Sequence, residues 1–327
     1  MTTTMRAVVL DAPGPPEALQ VRELPIPEPR PGEVLIRVSA FGINRSELFT
    51  RQGHSGDAVT FPRVLGIEAT GTVAAAPGGE FAPGAQVVAL MGGMGRTFDG
   101  GYAEYTCVPA SIVVPFRSDL QPGVLGAVPE MLQTAYGSLT VGLDLRAGQT
   151  LLIRGGTSSI GLAATVLAKQ LGATVLSTTR REERLEVLRN AGVDHPLVDD
   201  GTLAGAVREL VPDGVDAALE LVGVTSLQDT LRAVRVHGTA CFTGMVAGDW
   251  SVPDWYPMDF LPNGVRLTAY SGGASDLPAP VLQRFLDDVA AGVLRVPVHR
   301  TYALDEIAEA HADMEAGRAT GKLVVVL

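Results

Sequence analysis

A short apolar run, Leu151-Leu152-Ile153-Arg154, breaks into Gly155-Gly156-Thr157-Ser158-Ser159-Ile160-Gly161 and resumes as Leu162–Leu171 with apolar residues at helical spacing. This reads as strand, tight turn, helix. Such a turn leaves helix N-terminal amides pointing outward, and Gly156, Thr157, Ser158 and Ser159, leading to the backbone of Ile160, let an anion approach them closely. That suits the pyrophosphate of a dinucleotide. The middle glycine of the common fingerprint is replaced by Ser158, and short Gly-Ser turns also join strands to helices that bind nothing. A second strand, Ala173–Thr179, completes a βαβ unit. NAD-preferring sites place a carboxylate about twenty residues beyond the turn, where it accepts from the ribose 2′-hydroxyl and repels a 2′-phosphate. Here that stretch is Ser177-Thr178-Thr179-Arg180-Arg181, with Arg184 one turn on. Hydroxyls and guanidinium forks match a phosphate dianion, so Thr179, Arg180 and Arg181 predict NADPH, with Arg180 nearest the phosphate. The alternative is an arginine-rich helix start on a solvated face, against the helix dipole.

The elements around this unit fall into two textures. Met5–Leu10, Leu19–Glu23, Glu33–Ala40, Gly71–Ala76 and Gln86–Leu90 are short β-type runs between Pro and Gly clusters, which predicts a compact β-rich domain. From about Ala127, helix and strand alternate. Helices are expected at Glu182–Asn190, Leu203–Val211 and Leu227–Val236, and strands at Asp194–Val198, Asp216–Val222 and Thr239–Thr243. About six strands of this kind make a parallel, doubly wound sheet. Val222-Gly223 and Thr243-Gly244 end later strands, where such a sheet gathers its ligands. Past Gly264, helices at Pro280–Ala291 and Leu304–Ala316 and a strand at Lys322–Leu327 remain.

At 327 residues the chain has room for about two domains. A formal charge of −11 and no long Lys/Arg run exclude nucleic acid as main partner. Two lysines against twenty-three arginines reflect coding composition rather than a binding surface. Cys107 and Cys241 are too few and too far apart for a disulfide framework, which fits a reducing compartment. No stretch reaches membrane-spanning length and the N-terminus has no cleavable apolar leader, so the expected location is the cytoplasm.

Several spaced motifs carry a resemblance: Gly32-Glu33-Val34-Leu35-Ile36-Arg37-Val38, Gly42-Ile43-Asn44, Gly66-Ile67-Glu68-Ala69-Thr70-Gly71, Gly101-Tyr102-Ala103-Glu104-Tyr105, Thr134-Ala135, the glycine turn and Gly321-Lys322. Together they resemble the medium-chain dehydrogenase/reductase superfamily and, within it, the zinc-independent, zeta-crystallin-like quinone oxidoreductases. The resemblance implies an α/β fold, with a Rossmann domain (127–264) inserted in a β-rich, GroES-like catalytic domain (1–126 and 265–327) and a cleft between them. It also implies a homo-oligomer, most simply a dimer, and a nicotinamide contact from Thr134.

Zinc-using relatives carry a cysteine where this chain has Asn44 and a histidine where it has Ile67. With two ligands gone, no catalytic metal is expected. Cys107 and Cys241 read as core residues, and His54 as either an exposed loop histidine or a substrate-side group. Without a Lewis acid, the fitting acceptor is a quinone or conjugated enone, whose reduction yields an already delocalised oxyanion. Asn44 is the candidate catalytic and substrate-binding residue, donating a hydrogen bond to that oxyanion, as the resemblance also implies; a turn or cap asparagine is the other reading. Relatives often carry a tyrosine in the next helix where this chain, aligned through Arg51 and Gly53, has Phe49, so Phe49 and Arg51 complete the expected acceptor side. Two other functions stay open: an NADPH-binding protein with little turnover, in a crystallin-like, sensory or interaction role, and an enoyl-thioester reductase.

Overall fold

The computed structural model describes residues 3–249 and 251–327. In chain order the strands are β1 (Thr4–Leu10), β2 (Leu19–Pro25), β3 (Glu33–Ile43), β4 (Arg63–Val64), β5 (Glu68–Ala75), β6 (Gln86–Leu90), β7 (Tyr105–Pro109) and β8 (Val113–Pro115). They continue as β9 (Thr150–Arg154), β10 (Thr174–Thr179), β11 (His195–Val198), β12 (Val215–Glu220), β13 (Val234–Phe242), β14 (Arg266–Ala269), β15 (Val298–Tyr302) and β16 (Lys322–Val326). The chain divides into two compact units, Met1–Gln133 with Gly272–Leu327, and Thr134–Ser271.

The first unit is built on β3. Its apolar residues bury one face, and β5, β7 and β16 all pair with it antiparallel, within a sheet ordered β15-β16-β3-β5-β6-β8. A small sheet, β2-β1-β4, accompanies it. The C-terminal strand β16 lies between β15 and β3, with Leu323 opposite Ile43, and this pairing carries β3 past the expected end at Ala40. Likewise β5 starts at Glu68 rather than Gly71 because Glu68 pairs with Leu90 of β6.

The second unit is a six-stranded, wholly parallel sheet ordered β11-β10-β9-β12-β13-β14. Helices Ser159–Leu171, Leu185–Asn190, Leu203–Leu210 and Val224–Ala233 make the crossovers. Leu152, Leu176, Val207, Ala218, Leu231 and Ala240 form the core of one face. This is the doubly wound arrangement of a Rossmann domain, with β9 the first strand.

Three sequence expectations need correction. The helix read through Val236 stops at Ala233, since Val234 pairs with Val215 and starts β13. The sixth strand, β14, lies beyond Gly264, so the unit runs to Ser271 rather than 264. Its other boundary falls at Thr134 rather than 127, because the intervening segment is held by the first unit: Gly126 packs on Ala40 and Val324, and the Glu130 amide donates to Glu68 at 2.8 Å.

Candidate functional site

Each unit holds one group of functional residues around a buried cation. In the first unit β3 runs directly into helix Arg45–Arg51, and Asn44 occupies the N-cap position between them. Its side chain does not cap the helix. Instead its Nδ2 donates to Glu68 Oε1 at 2.9 Å and, more weakly, to Glu47 Oε1 at 3.3 Å, while its Oδ1 accepts from Lys322 Nζ. The ammonium of Lys322, 1% exposed, also meets Glu68 Oε1 at 2.9 Å and Glu130 Oε2 at 3.0 Å. A donor-only ammonium at Oδ1 fixes which way the amide faces. Burial would pull the Lys322 ammonium down, but the charges of Glu68 and Glu130 outweigh it and hold the pKa above the ordinary lysine value.

Glu47 sits in the first turn of that helix, with Oε1 accepting the Ile67 amide at 3.0 Å and Oε2 buried with no hydrogen-bond partner among the described residues. Burial, with the charge of Glu68 adding to it, pushes its carboxyl up to about 7, against the bonds from Ile67 and Asn44. Glu47, Glu130 and Lys322 were not singled out from the sequence as site residues. The signal for Lys322 was present: it is one of only two lysines, and it follows the closing glycine.

The other acceptor-side residues spread apart. Phe49 is half-buried, its ring edge-on to the exposed His54 at 6.1 Å. Arg51 is 1% exposed and its guanidinium serves the fold, donating to the Gly14 carbonyl and to Glu315 at 2.6 Å. That geometry turns it away from the substrate role expected of it. Behind this helix Tyr102 stacks on Phe41 and hydrogen-bonds His311 Nε2 at 3.1 Å, and burial together with the Arg51 charge pulls His311 down to about 3. Cys241 is buried as expected, whereas Cys107 is only half-buried, its thiol raised to about 11 by burial and the Glu33 carboxylate.

In the second unit the glycine turn takes the expected form. Gly155 has a φ of +88°, and a Cβ on Gly161 would fall 2.7 Å from the Gly155 carbonyl oxygen, so the helix seats on the turn only with glycine there. Ser158 is the N-cap: its Oγ accepts from the Gly161 amide at 3.1 Å and donates to the Gly155 carbonyl at 2.8 Å. Its hydroxyl is thus committed within the turn. Among the described residues the amides of Thr157, Ser159 and Ile160 pair with nothing. Thr178 holds the turn, accepting the Gly155 amide at Oγ1 and the Gly156 amide at its carbonyl. Thr179 Oγ1 accepts the Arg181 amide at 3.3 Å. Arg180 and Arg181 are exposed, and with Arg184 they make no ion pair or side-chain hydrogen bond among the described residues. Partial burial and the neighbouring charges of Arg181 and Arg180 lower the pKa of Arg184.

Thr134 is buried, its carbonyl accepting the Ser138 hydroxyl at 2.6 Å. Thr243 Oγ1 lies 3.0 Å from Ser138 Oγ, and the Thr243 and Gly244 amides both donate to the Glu220 carbonyl. The Glu220 carboxylate accepts the Val222 and Gly223 amides at 2.7 and 3.1 Å, so it shapes the loop after β12. Beside it lies the second buried cation, Arg154, at the end of β9. Its Nε and Nη2 grip Asp199 at 2.7 and 2.8 Å, and Nη1 donates to Asp229 at 2.8 Å.

The family model described as "Alcohol dehydrogenase GroES-like domain" matches residues 30–118, and that described as "Zinc-binding dehydrogenase" matches 191–325. A quinone oxidoreductase of Homo sapiens is 27% identical over 99% of this chain and 98% of its own. A 2-haloacrylate reductase of a Burkholderia species is 29% identical over 98% of both. Among solved structures, a mycobacterial protein complexed with NADPH is 28% identical with a TM-score of 0.86, over 99% of this chain and all of its own. Both domains of the chain thus match models of the medium-chain dehydrogenase/reductase superfamily, and over its full length the chain is similar to that superfamily's quinone oxidoreductases. Its fold is that superfamily's Rossmann sheet inserted in a GroES-like unit, and its activity class is oxidoreductase with a nicotinamide cofactor.

Zinc is the superfamily's metal, and this donor set does not fit it. Asn44 Oδ1 and Glu68 Oε1 both face the Lys322 ammonium, Glu68 Oε2 holds the Glu130 amide, and Ile67 offers no donor. A metal here would have to displace a buried, paired ammonium. The nicotinamide dinucleotide does fit: the turn has small residues, open amides and a group of unpaired guanidinium ions at the end of β10.

Proposed function

We propose that this protein is a zinc-independent, NADPH-dependent reductase of quinones and other conjugated carbonyl compounds. The observation that carries the cofactor choice is the trio Arg180, Arg181 and Arg184 beyond β10, three cations that form no ion pair among the described residues and whose mutual repulsion, only partly offset by Glu183, an incoming phosphate would relieve. The open amides of Thr157, Ser159 and Ile160 take the pyrophosphate, while Gly156 and Ser158 shape their cradle. Val222, Gly223, Thr243 and Gly244 line the ends of β12 and β13, and Thr134 meets the nicotinamide. Bound there, the cofactor supplies the hydride.

On the acceptor side Asn44 is the donor. Its bond to Glu68 is of ordinary length at 2.9 Å, but the one toward Glu47 spans 3.3 Å, and the Nδ2 proton on that side is the one an acceptor oxygen takes up as charge develops on it. Hydride adds to the β-carbon, the π electrons move to the carbonyl oxygen, and the resulting enolate takes its proton from solvent; on a quinone ring the product then releases the ring C–H proton to solvent as it tautomerises to the hydroquinone. Phe49 provides an apolar wall. The reading includes a small-molecule substrate, no membrane or nucleic-acid partner, a cytoplasmic location and a homodimer. Purified protein should oxidise NADPH with 1,4-benzoquinone, a naphthoquinone or a simple enone, without added metal and unaffected by a chelator. Tight NADPH binding with no turnover of any acceptor would instead favour the silent-binder alternative.

A further inference from the structure

Strands β10 and β11 run side by side with Thr179 opposite Val198, so Arg180 and Asp199 leave the sheet next to one another, and the Asp199 amide donates to the Thr179 carbonyl at 2.8 Å. This puts an aspartate beside the arginines assigned to the 2′-phosphate. A free carboxylate at the carboxyl ends of these strands is what selects NADH, by accepting from ribose hydroxyls and repelling phosphate. Asp199 is not free. Both of its oxygens are bound by one face of the Arg154 guanidinium, at 2.7 and 2.8 Å, with side-chain exposures of 7% and 1%. The remaining Arg154 nitrogen holds Asp229, the Ser226 carbonyl and Thr230. The other acidic groups around it are committed to backbone or hydroxyl partners: Asp229 to the Leu203 and Ala204 amides, Glu220 to Val222, Gly223 and Thr230, and Asp200 to Thr202.

We infer that Arg154 is a specificity-determining residue, which keeps the cofactor site open to NADPH by clamping and neutralising Asp199 beside Arg180. It acts through Asp199 and touches no phosphate itself, so it is a positioning residue, and the inference rests on the reading of Arg180, Arg181 and Arg184 as the phosphate site. Arginine suits the task because its planar fork takes both carboxylate oxygens at once, which a lysine ammonium cannot match.

The test is the ratio of NADPH to NADH dissociation constants, by titration calorimetry at fixed low salt, for the wild type, Arg154→Met, Arg154→Lys and Arg154→Met with Asp199→Asn. The single methionine variant should lose preference for NADPH on the order of tenfold. The double variant, which removes both charges, should regain it. Should Arg154→Met fail to fold, Arg154→Lys still carries the test, and its preference should fall part of the way. Unchanged ratios in the single variants, or a loss that Asp199→Asn does not restore, would reduce Arg154 to a structural cross-link and overturn the inference. A wild type with no preference for NADPH would overturn the phosphate site itself and the inference with it, and that result is visible before any substitution is made.

Discussion

Lys322 and Arg154 are both buried cations ringed by carboxylates, but the two rings are satisfied differently. Around Arg154, Asp229 and Glu220 each accept two backbone amides and Asp199 accepts the Gly201 amide, so these charges lean on the chain as well as on the guanidinium. In the Lys322 group, Glu68 accepts one backbone amide, and Glu47, joined to the group through Asn44, accepts the Ile67 amide while its other oxygen has no partner among the described residues. The difference teaches where a buried network stores its pH sensitivity. Burial raises Glu220 even though it accepts two amides and a hydroxyl, and it raises Glu47, which has fewer partners and the charge of Glu68 beside it, up to about 7.

The harshest way to break the comparison is Lys322→Met, which leaves Glu68 and Glu130 buried without their cation. Loss of one partner of a buried pair costs about 3–5 kcal/mol, and denaturant unfolding should show it. A loss under about 1 kcal/mol would mean that the carboxylates simply take up protons. Next comes Glu47. Its folded pKa lies above the ordinary carboxylate value, so the stability linked to its neutral form is full below about pH 4.5 and is lost as pH rises through about 7, a swing of about 3 kcal/mol. Glu47→Gln should flatten the unfolding free energy between pH 5 and 8, and an unchanged slope would place the proton elsewhere. In the second unit, Arg180→Ala with Arg181→Ala should weaken NADPH by about 2–3 kcal/mol and NADH far less. Equal losses would remove the phosphate assignment. The smallest effect is expected at Asn44: Asn44→Ala should lower kcat about tenfold, about 1.4 kcal/mol, with NADPH affinity unchanged. An unaltered kcat would take Asn44 out of the mechanism.

The parallel sheet was legible because short strands, with Leu151-Leu152-Ile153 in β9 and Ala217-Ala218-Leu219 in β12, alternate with segments of helical spacing. Its sixth strand was not: Arg266-Leu267-Thr268-Ala269 is short, half-polar and an edge. Strands β4, β7, β8 and β15 escaped for the same reason, being two to five residues long and defined by their partners rather than by their own pattern. Among site residues, the turn and the arginines were local signals. The carboxylate cluster was not, since Glu47, Glu68, Glu130 and Lys322 span most of the chain and only folding brings them together. Arg51 misled because its alignment with relatives says nothing about the Glu315 carboxylate that meets it.

Strand β16 lies between β15 and β3 and carries Lys322. During synthesis the ribosome therefore delivers the inserted Rossmann sheet whole while the enclosing unit still lacks its central pairing partner and the cation for its acidic residues. The unit that β1 opens is completed only by β16, and until β16 emerges one edge of β3 stands open beside the carboxylates that Lys322 meets. For the nascent chain this is the interval of greatest exposure to misassembly, and it closes with the arrival of one short strand.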